Sequence, residues 1–173
     1  MNRVARIADL NSWRISELAE YWDRKRGDRP MPSREDIDPA EIKRLLPNLV
    51  ISRIERDPLR VKYSLVGTYI AESGGLDFSG YYLDEIDFKG EVGTDWAALY
   101  REFIRERRPI FGICQFRTEA GYVREYLAAM FPLSSDGVEV DQCLSIEDWP
   151  ANAKLTPEDL NAVPPRRLRP PKS

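Results

Sequence analysis

The chain has 173 residues, of which 42% are hydrophobic and 32% are charged, as is typical of a globular domain with a well-solvated surface. Its formal net charge of −3 argues against nucleic acid as the main partner, because phosphate binding needs a concentrated basic surface. The sequence shows neither an apolar run of the roughly 20 residues that span a bilayer nor the apolar core of a secretory signal. We therefore expect no stable membrane insertion and a cytoplasmic location.

The chain contains no histidine and two cysteines, Cys114 and Cys143. The absence of histidine removes the commonest general base near neutral pH and the commonest zinc and haem ligand. Cys114 is a poor nucleophile, because an unperturbed thiol is mostly protonated at neutral pH and no base is evident beside it. We therefore expect the protein not to be an enzyme, and in particular to be neither a metalloenzyme nor a covalent catalyst.

Residues 1–47 are predicted to form a helical extension. Its first helix spans residues 12–26 and carries one apolar stripe, which consists of Ile15, Leu18, Ala19 and Trp22. This stripe packs either on its own domain or against a second copy of the chain, and the second alternative predicts a homodimer. A second helix is predicted to begin at Asp38-Pro39 and to end at Pro47.

Residues 48–149 are predicted to form the folded domain. Alternating apolar residues and turn signals indicate five strands, which cover residues 48–55, 60–66, 110–118, 122–133 and 138–148. Between the second and third strands, Gly67, Gly74-Gly75 and Gly80 indicate short helical pieces in a tight connection. A longer helix follows them, with apolar residues at helical spacing at Trp96, Leu99, Tyr100, Phe103 and Ile104. This order predicts an α+β domain, in which helices cover one face of a five-stranded antiparallel sheet.

A strand followed by glycine-hinged pieces and a long helix can enclose a small cavity against the sheet. The candidate lining residues are apolar or aromatic, and they are Tyr63, Leu65, Ile70, Phe78, Tyr82, Trp96, Phe103 and Ile113. Of these, Trp96, Phe103 and Leu65 are expected to be buried between the long helix and the sheet. An unidentified small molecule can be accommodated in such a cavity, but these residue types specify no particular ligand.

Two further segments carry charge. Asp77, Asp84, Glu85 and Asp87 form an acidic cluster whose spacing matches no calcium loop, which favours a solvated surface over a cation site. Residues 150–173 are polar and end in a basic, proline-rich run, and they are expected to be a disordered tail. The basic residues of this tail give at most weak, salt-sensitive attraction to an anionic membrane surface.

The order of elements resembles that of a PAS domain. More specifically, the chain resembles the stand-alone PAS-like proteins of alphaproteobacteria, a family that includes a motility-regulating PAS protein. The resemblance rests on motifs spread over residues 10–149, which are Leu18, Tyr21, Trp22, Pro32-Ser33-Arg34, Ile37-Asp38-Pro39, Leu45-Leu46-Pro47, Leu65-Val66-Gly67-Thr68, Gly75, Gly80, Phe131-Pro132-Leu133 and Asp136-Gly137. It implies a sensory or signalling role, and a helix before the first strand through which such domains commonly pair. It implies no ligand.

The resemblance supports none of the well-known PAS cofactors. PAS domains that hold haem generally use a histidine ligand, which is absent here. The flavin photosensors carry an Asn-Cys-Arg motif on a helix, whereas Cys114 and Cys143 lie in predicted strands within Ile-Cys-Gln and Gln-Cys-Leu. Haem and covalent flavin are therefore not supported, and the cofactor is unknown.

Three functions are compatible with these observations. The first is a single-domain sensory or regulatory protein of bacterial signalling, which binds a small ligand, a signalling-protein partner, or both. The second is a pure protein-interaction or dimerisation module without a ligand. The third is a small-molecule enzyme that uses Tyr and Asp or Glu as acid and base. A ligand-holding cavity favours the first function, a closed core the second, and a buried acid beside a tyrosine in an open pocket the third.

Overall fold

The computed structural model describes residues 1–88, 90–117, 123–149 and 166–170. Within these ranges the helices are α1 (Trp13–Arg26), α2 (Thr68–Gly74) and α3 (Trp96–Glu106), with short 3-10 helices at Ile7–Leu10, Leu46–Asn48 and Leu83–Glu85. The strands are β1 (Asn2–Val4), β2 (Leu49–Arg56), β3 (Leu59–Val66), β4 (Ile86–Asp87), β5 (Glu91–Val92), β6 (Ile110–Arg117), β7 (Val123–Leu133), β8 (Gln142–Asp148) and β9 (Arg167–Leu168). None of the described helices is long and apolar enough to cross a membrane.

The main sheet is antiparallel throughout and has the strand order β1-β6-β7-β8-β2-β3, with β5 pairing on β6 beyond β1. The five predicted strands correspond to β2, β3, β6, β7 and β8, so the prediction of an antiparallel sheet in an α+β fold is confirmed, but the sheet has seven strands in the described residues instead of five. The short strands β1 and β5 extend this sheet along the free edge of β6.

Helices cover both faces of the main sheet. On the outer face, Trp22 of α1 contacts Phe131 of β7, with the ring centroids 6.0 Å apart. Successive side chains of a strand point to opposite faces, and Phe131 shares its face with Leu144 and Ile51 through the pairing register. The next residue, Ser52, therefore points to the inner face, where its hydroxyl lies 3.1 Å from the Tyr100 hydroxyl of α3. The helices between the strands thus cover one face, and the N-terminal extension covers the other.

The helix α1 agrees closely with the sequence prediction. The hydroxyl of Ser12 caps it by accepting a hydrogen bond from the Ile15 amide at 3.2 Å. Gly27 ends it with a positive φ of 56°, a conformation that glycine adopts at low cost. Ile15, Leu18 and Trp22 are buried, and the Trp22 indole donates to the Pro132 carbonyl at 2.9 Å. The apolar stripe of α1 is therefore used inside its own domain.

The predicted second helix, from Asp38 to Pro47, is wrong. Residues 38–45 form turns, and only a 3-10 turn follows at Leu46–Asn48. The carboxylate of Asp38 accepts from the Ala40 amide at 2.9 Å, as a helix cap does, but the backbone hydrogen bonds that follow join residues three apart, such as Ile42 to Pro39, and form turns. Fewer than ten residues then separate Asp38 from Pro47, too few for a helix to form without strong tertiary support.

The alternation in β3 breaks at Ser64. Tyr63 pairs with Ser52, whereas Leu65 pairs with Ile51, so Ser64 is the extra residue of a β-bulge. The bulge reverses the faces of the residues that follow it, and Leu65 is 39% exposed. The prediction that Leu65 is buried is therefore wrong, because a period-2 pattern does not reveal an inserted residue. Phe103 is buried as predicted, and Trp96 is half-buried.

The expected disordered tail is wrong for residues 166–170, and the rest of 150–173 lies outside the described residues. Arg167–Leu168 forms β9, which pairs antiparallel with β4 as a second, two-stranded sheet. The amide of Arg169 also donates to the Glu85 carbonyl at 2.7 Å. This docked C-terminal segment, residues 166–170, carries Arg166 into the inner face of the main sheet.

Candidate functional site

The inner face encloses a site built around Arg166, whose residue surface is 1% exposed. Its guanidinium bonds two acidic residues and a tyrosine. Nε donates to Glu91 Oε1 at 2.6 Å, and Nη2 donates to Glu147 Oε1 at 3.0 Å and to the Tyr126 hydroxyl at 2.9 Å. Hydrogen bonds of this charge-assisted type are the strong ones in proteins. Three strands supply the partners, since Glu91 lies in β5, Tyr126 in β7 and Glu147 in β8. We call this set of residues the Arg166 site.

Aromatic rings form the walls of the Arg166 site. The guanidinium carbon lies 5.5–5.8 Å from the centroids of four rings, which belong to Phe78, Phe88, Tyr126 and Trp149. Tyr126 and Trp149 stack on each other in parallel, with centroids 4.2 Å apart. Ring faces attract cations, and the attraction is larger where water is excluded. The walls therefore favour a flat organic cation over a neutral group.

Each carboxylate of the site is held in place by an indole. Trp96 of α3 donates to Glu91 Oε2 at 2.7 Å, and Trp149 donates to Glu147 Oε2, also at 2.7 Å. The two carboxylates are therefore oriented independently of Arg166. One indole comes from the helix that covers the sheet and the other from the residue after β8, so the positions of the two acids depend on the packing of the whole inner face.

The site holds one cation and two carboxylates in a buried place. Burial raises the pKa of Glu147, and Arg166 opposes that rise. Burial also disfavours the charge on Arg166, but Glu147, Glu91 and Tyr126 together raise the pKa of its guanidinium well above the ordinary value. Arg166 therefore stays charged, and the bound guanidinium keeps Glu147 in its ionised form more readily than burial alone would.

Gly74 leaves the space that the Arg166 side chain needs. A Cβ at Gly74 would lie 3.1 Å from Arg166 Cδ, which is tighter than about nine in ten such contacts in proteins. Gly74 is the last residue of α2, and its φ is not in the left-handed region. Glycine is therefore required at this position because it has no side chain, and not because of its backbone conformation.

A small cavity and a large cleft adjoin the Arg166 site. The cavity is about 20 Å³ and lies among Val50, Tyr63, Phe78, Tyr100 and Arg166. The cleft is an open space of about 1270 Å³ at the surface, and Phe88, Trp96 and Tyr100 line both spaces. The docked C-terminal segment contributes residues 168–170 to the wall of the cleft. Among the described residues, these three side chains and this short segment therefore lie between the cleft and the buried site.

The sequence profile of the PAS domain family matches residues 11–142, which is well over half of the chain. This chain belongs to the PAS domain family. Solved structures similar to it include a light-oxygen-voltage domain studied with a flavin analogue, with 13% identity, a TM-score of 0.47, and 71% of this chain and 87% of that chain covered. The blue-light photoreceptor Aureochrome1 LOV in its dark state has 11% identity, a TM-score of 0.47, and 69% and 88% coverage.

A third similar structure is the LOV protein of Rhodobacter sphaeroides, with 11% identity, a TM-score of 0.45, and 68% of this chain and 73% of that chain covered. No curated protein matches the chain. The family assignment therefore rests on the sequence profile, and the α+β fold of the PAS domain, with its antiparallel sheet and N-terminal helix, agrees with it.

The structure brings half of the predicted cavity residues to the inner face of the PAS domain. Tyr63, Phe78 and Trp96 line the small cavity, and Ile70 is buried in the same cluster as Tyr63 and Phe78. Tyr63 and Phe78 contact each other edge to face, with centroids 4.7 Å apart. These four residues surround the Arg166 site from the side of α2 and α3.

The other four predicted residues lie elsewhere. Leu65 follows the bulge and is exposed, and Ile113 points to the outer face because it pairs with Leu127, one residue away from inward-facing Tyr126. The hydroxyl of Tyr82 donates to Glu55 at 3.1 Å near the surface, and Arg60 lies over its ring. Phe103 belongs to the main hydrophobic core and not to the cavity wall.

Sequence reasoning missed the polar residues of the site: Glu91, Tyr126, Glu147 and Arg166. One local signal was available, since Glu147 lies in β8, which carries Cys143, Leu144 and Ile146 and is followed by Trp149. An acid among apolar residues indicates a buried charge when both faces of the sheet are covered. No comparable signal marks Arg166 within a basic run.

The described residues offer no arrangement for a metal ion, since no group of three or more Cys, Asp or Glu side chains in them is placed to hold one. Cys114 and Cys143 are both free and buried, and burial raises the pKa of each thiol far above its ordinary value. A thiol in that state is neither a good nucleophile nor a good metal ligand.

Proposed function

We propose that this PAS domain is a sensory or regulatory protein of bacterial signalling that acts through its inner cavity, in a cytoplasmic location. The docked C-terminal segment occupies the cavity in one state, and a small ligand displaces Arg166 in the other. Release of the segment then changes which surfaces a signalling partner can contact. The observation that carries this proposal is the insertion of Arg166, from outside the region that matches the PAS profile, into a site on the inner face of the domain.

The stability of the docked state depends mainly on one side chain. Besides Arg166, the segment is held by two residue pairs between β4 and β9 and by Arg167, whose side chain is 48% exposed where it contacts Asp87 at 3.0 Å. Arg169 adds two hydrogen bonds, from its amide to the Glu85 carbonyl at 2.7 Å and from Nε to the Ile86 carbonyl at 2.9 Å. Exposed ion pairs contribute little, typically below about 1 kcal/mol. Displacing Arg166 therefore removes the buried ion pairs that hold the segment, and a local event at the cavity is transmitted to the surface.

A pure interaction module is the second candidate. It is favoured by the small volume that remains in the cavity, about 20 Å³, because a PAS domain whose cavity is filled by its own side chains needs no ligand. In this alternative Arg166 is a permanent structural anchor, and the domain acts through its surface alone, for instance as a homodimer.

The geometry gives little support to the enzyme alternative. Glu147 is a buried acid beside Tyr126, which is the arrangement expected of an acid–base pair. However, Nη2 of Arg166 contacts both groups and fixes the carboxylate as an ion pair. PAS domains are typically sensors without catalytic activity, which agrees with the expectation that this protein is no enzyme.

Hydrogen exchange of the full chain tests the sensory proposal against the interaction module. The readout is the exchange rate of the amides at Arg167–Leu168 and at Arg169, recorded with cationic, neutral and anionic small molecules at millimolar concentration. We expect at least one class to bind, to raise the melting temperature and to speed exchange in this segment. If no compound changes either quantity, the cavity is closed to ligands and the interaction module is the better account.

A further inference from the structure

We propose that the Arg166 site is a recognition site for a guanidinium group carried by a small molecule, and that Arg166 is a tethered occupant of it. This inference rests on the proposed function, because the ligand acts by displacing Arg166, and it names the class of ligand that does so.

The polar groups of the site match a guanidinium in particular. A guanidinium is planar and presents its N–H donors in a fixed fork, and it is more weakly hydrated than an ammonium group. Glu91 accepts from Nε, and Glu147 and Tyr126 accept from Nη2. An ammonium ion is a compact, strongly hydrated charge with a single nitrogen, so it matches three acceptors grouped around two nitrogens and four ring faces less well.

The charge of the site calls for a cation whether or not Arg166 is present. Trp96 and Trp149 hold the two carboxylates in place independently of the guanidinium. If Arg166 leaves, two buried acids face each other without a counterion, which is costly unless one is protonated or another cation enters. A neutral or anionic ligand would leave this cost in place, whereas an organic cation removes it.

Arg166 does not use the full capacity of the site. Its Nη1 is buried and has no hydrogen-bond partner among the described residues, although the other two nitrogens are well paired. A cavity of about 20 Å³ adjoins the guanidinium. The Ser73 hydroxyl, next to Gly74 in the chain, is likewise buried without a partner in the described structure. A free ligand can adjust its position and carry additional groups, which a side chain fixed to the backbone cannot do.

A cation can reach the site through the surface cleft. The cleft shares Phe88, Trp96 and Tyr100 with the small cavity, and residues 168–170 form part of its wall. Four acidic residues also line it, namely Asp84, Glu85, Asp87 and Asp95. Acidic walls raise the local concentration of cations, so the approach favours the same charge as the buried site.

The binding test uses the full chain carrying Arg166→Ala, with n-propylguanidinium as the probe. This probe reproduces the end of an arginine side chain, and n-propylurea is its neutral counterpart of nearly equal shape. Arg105→Ala is the matched control, since it removes an exposed arginine of α3 that belongs neither to the docked segment nor to the cleft wall. Calorimetry or ligand-observed NMR gives the affinities.

We expect propylguanidinium to bind Arg166→Ala about tenfold more tightly than it binds the parent, because a tethered competitor acts at an effective concentration in the millimolar range. The Arg105→Ala variant should bind like the parent, and propylurea should bind at least about tenfold more weakly than propylguanidinium. If folded Arg166→Ala binds propylguanidinium no better than propylurea, the proposal is wrong.

A second measurement applies if Arg166→Ala does not fold by itself. Propylguanidinium, but not propylurea, should then restore its cooperative melting, and in the parent it should speed amide exchange at Arg167–Leu168. Failure of both effects overturns the proposal.

A peptide with the sequence of residues 166–170 is a further probe of the same site. If this peptide binds Arg166→Ala while propylguanidinium does not, the site binds an arginine peptide and the small-molecule proposal is wrong.

The outcomes separate this inference from the proposed function. If a neutral or anionic compound releases the segment and propylguanidinium does not bind, the ligand class is wrong and the sensory function stands. If propylguanidinium binds the variant and saturates the parent without changing exchange of the segment, the ligand class is right and signalling by segment release is wrong.

Discussion

Replacing Glu147 with glutamine is expected to loosen the docked C-terminal segment. The substitution keeps the shape of the side chain but removes the charge that Arg166 Nη2 contacts at 3.0 and 3.1 Å. A hydrogen bond to a charged group contributes about 1.5–3 kcal/mol, and about 1.4 kcal/mol corresponds to a factor of ten. The undocked fraction should therefore rise roughly tenfold to a hundredfold.

Trypsin cleavage of the bond between Arg166 and Arg167 measures this change directly. The protease must take the Arg166 side chain into its own specificity pocket, which is impossible while that side chain is buried in the domain. When docking is fast relative to cleavage, the rate at this bond is proportional to the undocked fraction. Intact-mass spectrometry identifies the product. The matched control is Glu125→Gln, the same chemical change at an exposed position of β7 where the side chain bonds Gln115.

Cleavage at this bond should be about tenfold faster or more in Glu147→Gln than in the parent and unchanged in Glu125→Gln. Equal rates in all three proteins would show that Glu147 does not hold the segment, and the ion pair would then carry no part of the proposed switch. Faster cleavage in both variants would point to a general loss of sheet stability instead.

Phe103→Ala should lower the free energy of unfolding by about 3–5 kcal/mol because it empties a fully buried core position, whereas Leu65→Ala should change it by no more than about 0.5 kcal/mol; denaturant melts compare the two. Segment docking should weaken as the pH falls through the pKa of Glu147, which burial raises above the ordinary 4.5. Arg166 lowers this pKa in the docked state relative to the undocked state, so the docked state binds fewer protons and is disfavoured by acid. Amide exchange of the segment measured against pH, and corrected for intrinsic rates, checks this. We expect sedimentation at tens of micromolar to show a homodimer, and because Trp22 is buried in its own domain whereas Trp13 of α1 is 52% exposed, Trp13→Ala should weaken that dimer.

Regular elements were predictable because their signals are local. The stripe of α1 and its Ser12 cap lie within a few residues of each other, and the strands β6, β7 and β8 alternate or are bounded by turn residues. Two local patterns gave wrong predictions. Asp38 has the features of a helix cap, but the residues that follow it form turns. Ser64 adds one residue to β3, and the composition of the strand does not reveal it.

The Arg166 site was not predictable from local pattern because its partners are far apart in the sequence. Arg166 bonds Glu91, 75 residues earlier, and Glu147, 19 residues earlier. Its neighbours in the sequence are basic and proline-rich, and a run of that composition is predicted to be a disordered tail. The apolar half of the site was partly predictable, since Tyr63, Phe78 and Trp96 belong to recognisable strand, hinge and helix segments.

The missing side chain of Gly74 makes the same arrangement recognisable in other members of the family. A Cβ at that position would lie 3.1 Å from Arg166 Cδ, so even alanine would force a guanidinium bonded to Glu91 and Glu147 to shift by a few tenths of an ångström. Some relatives will have glycine at the end of α2, acids at the positions of Glu91 and Glu147, and an arginine about 20 residues after β8. In these relatives the arginine of the chain itself should occupy the site. Relatives that keep the two acids but carry a larger residue in place of the glycine should leave the site to a free ligand. The same four positions therefore divide the family into members whose ligand must displace an arginine and members whose ligand binds an open site.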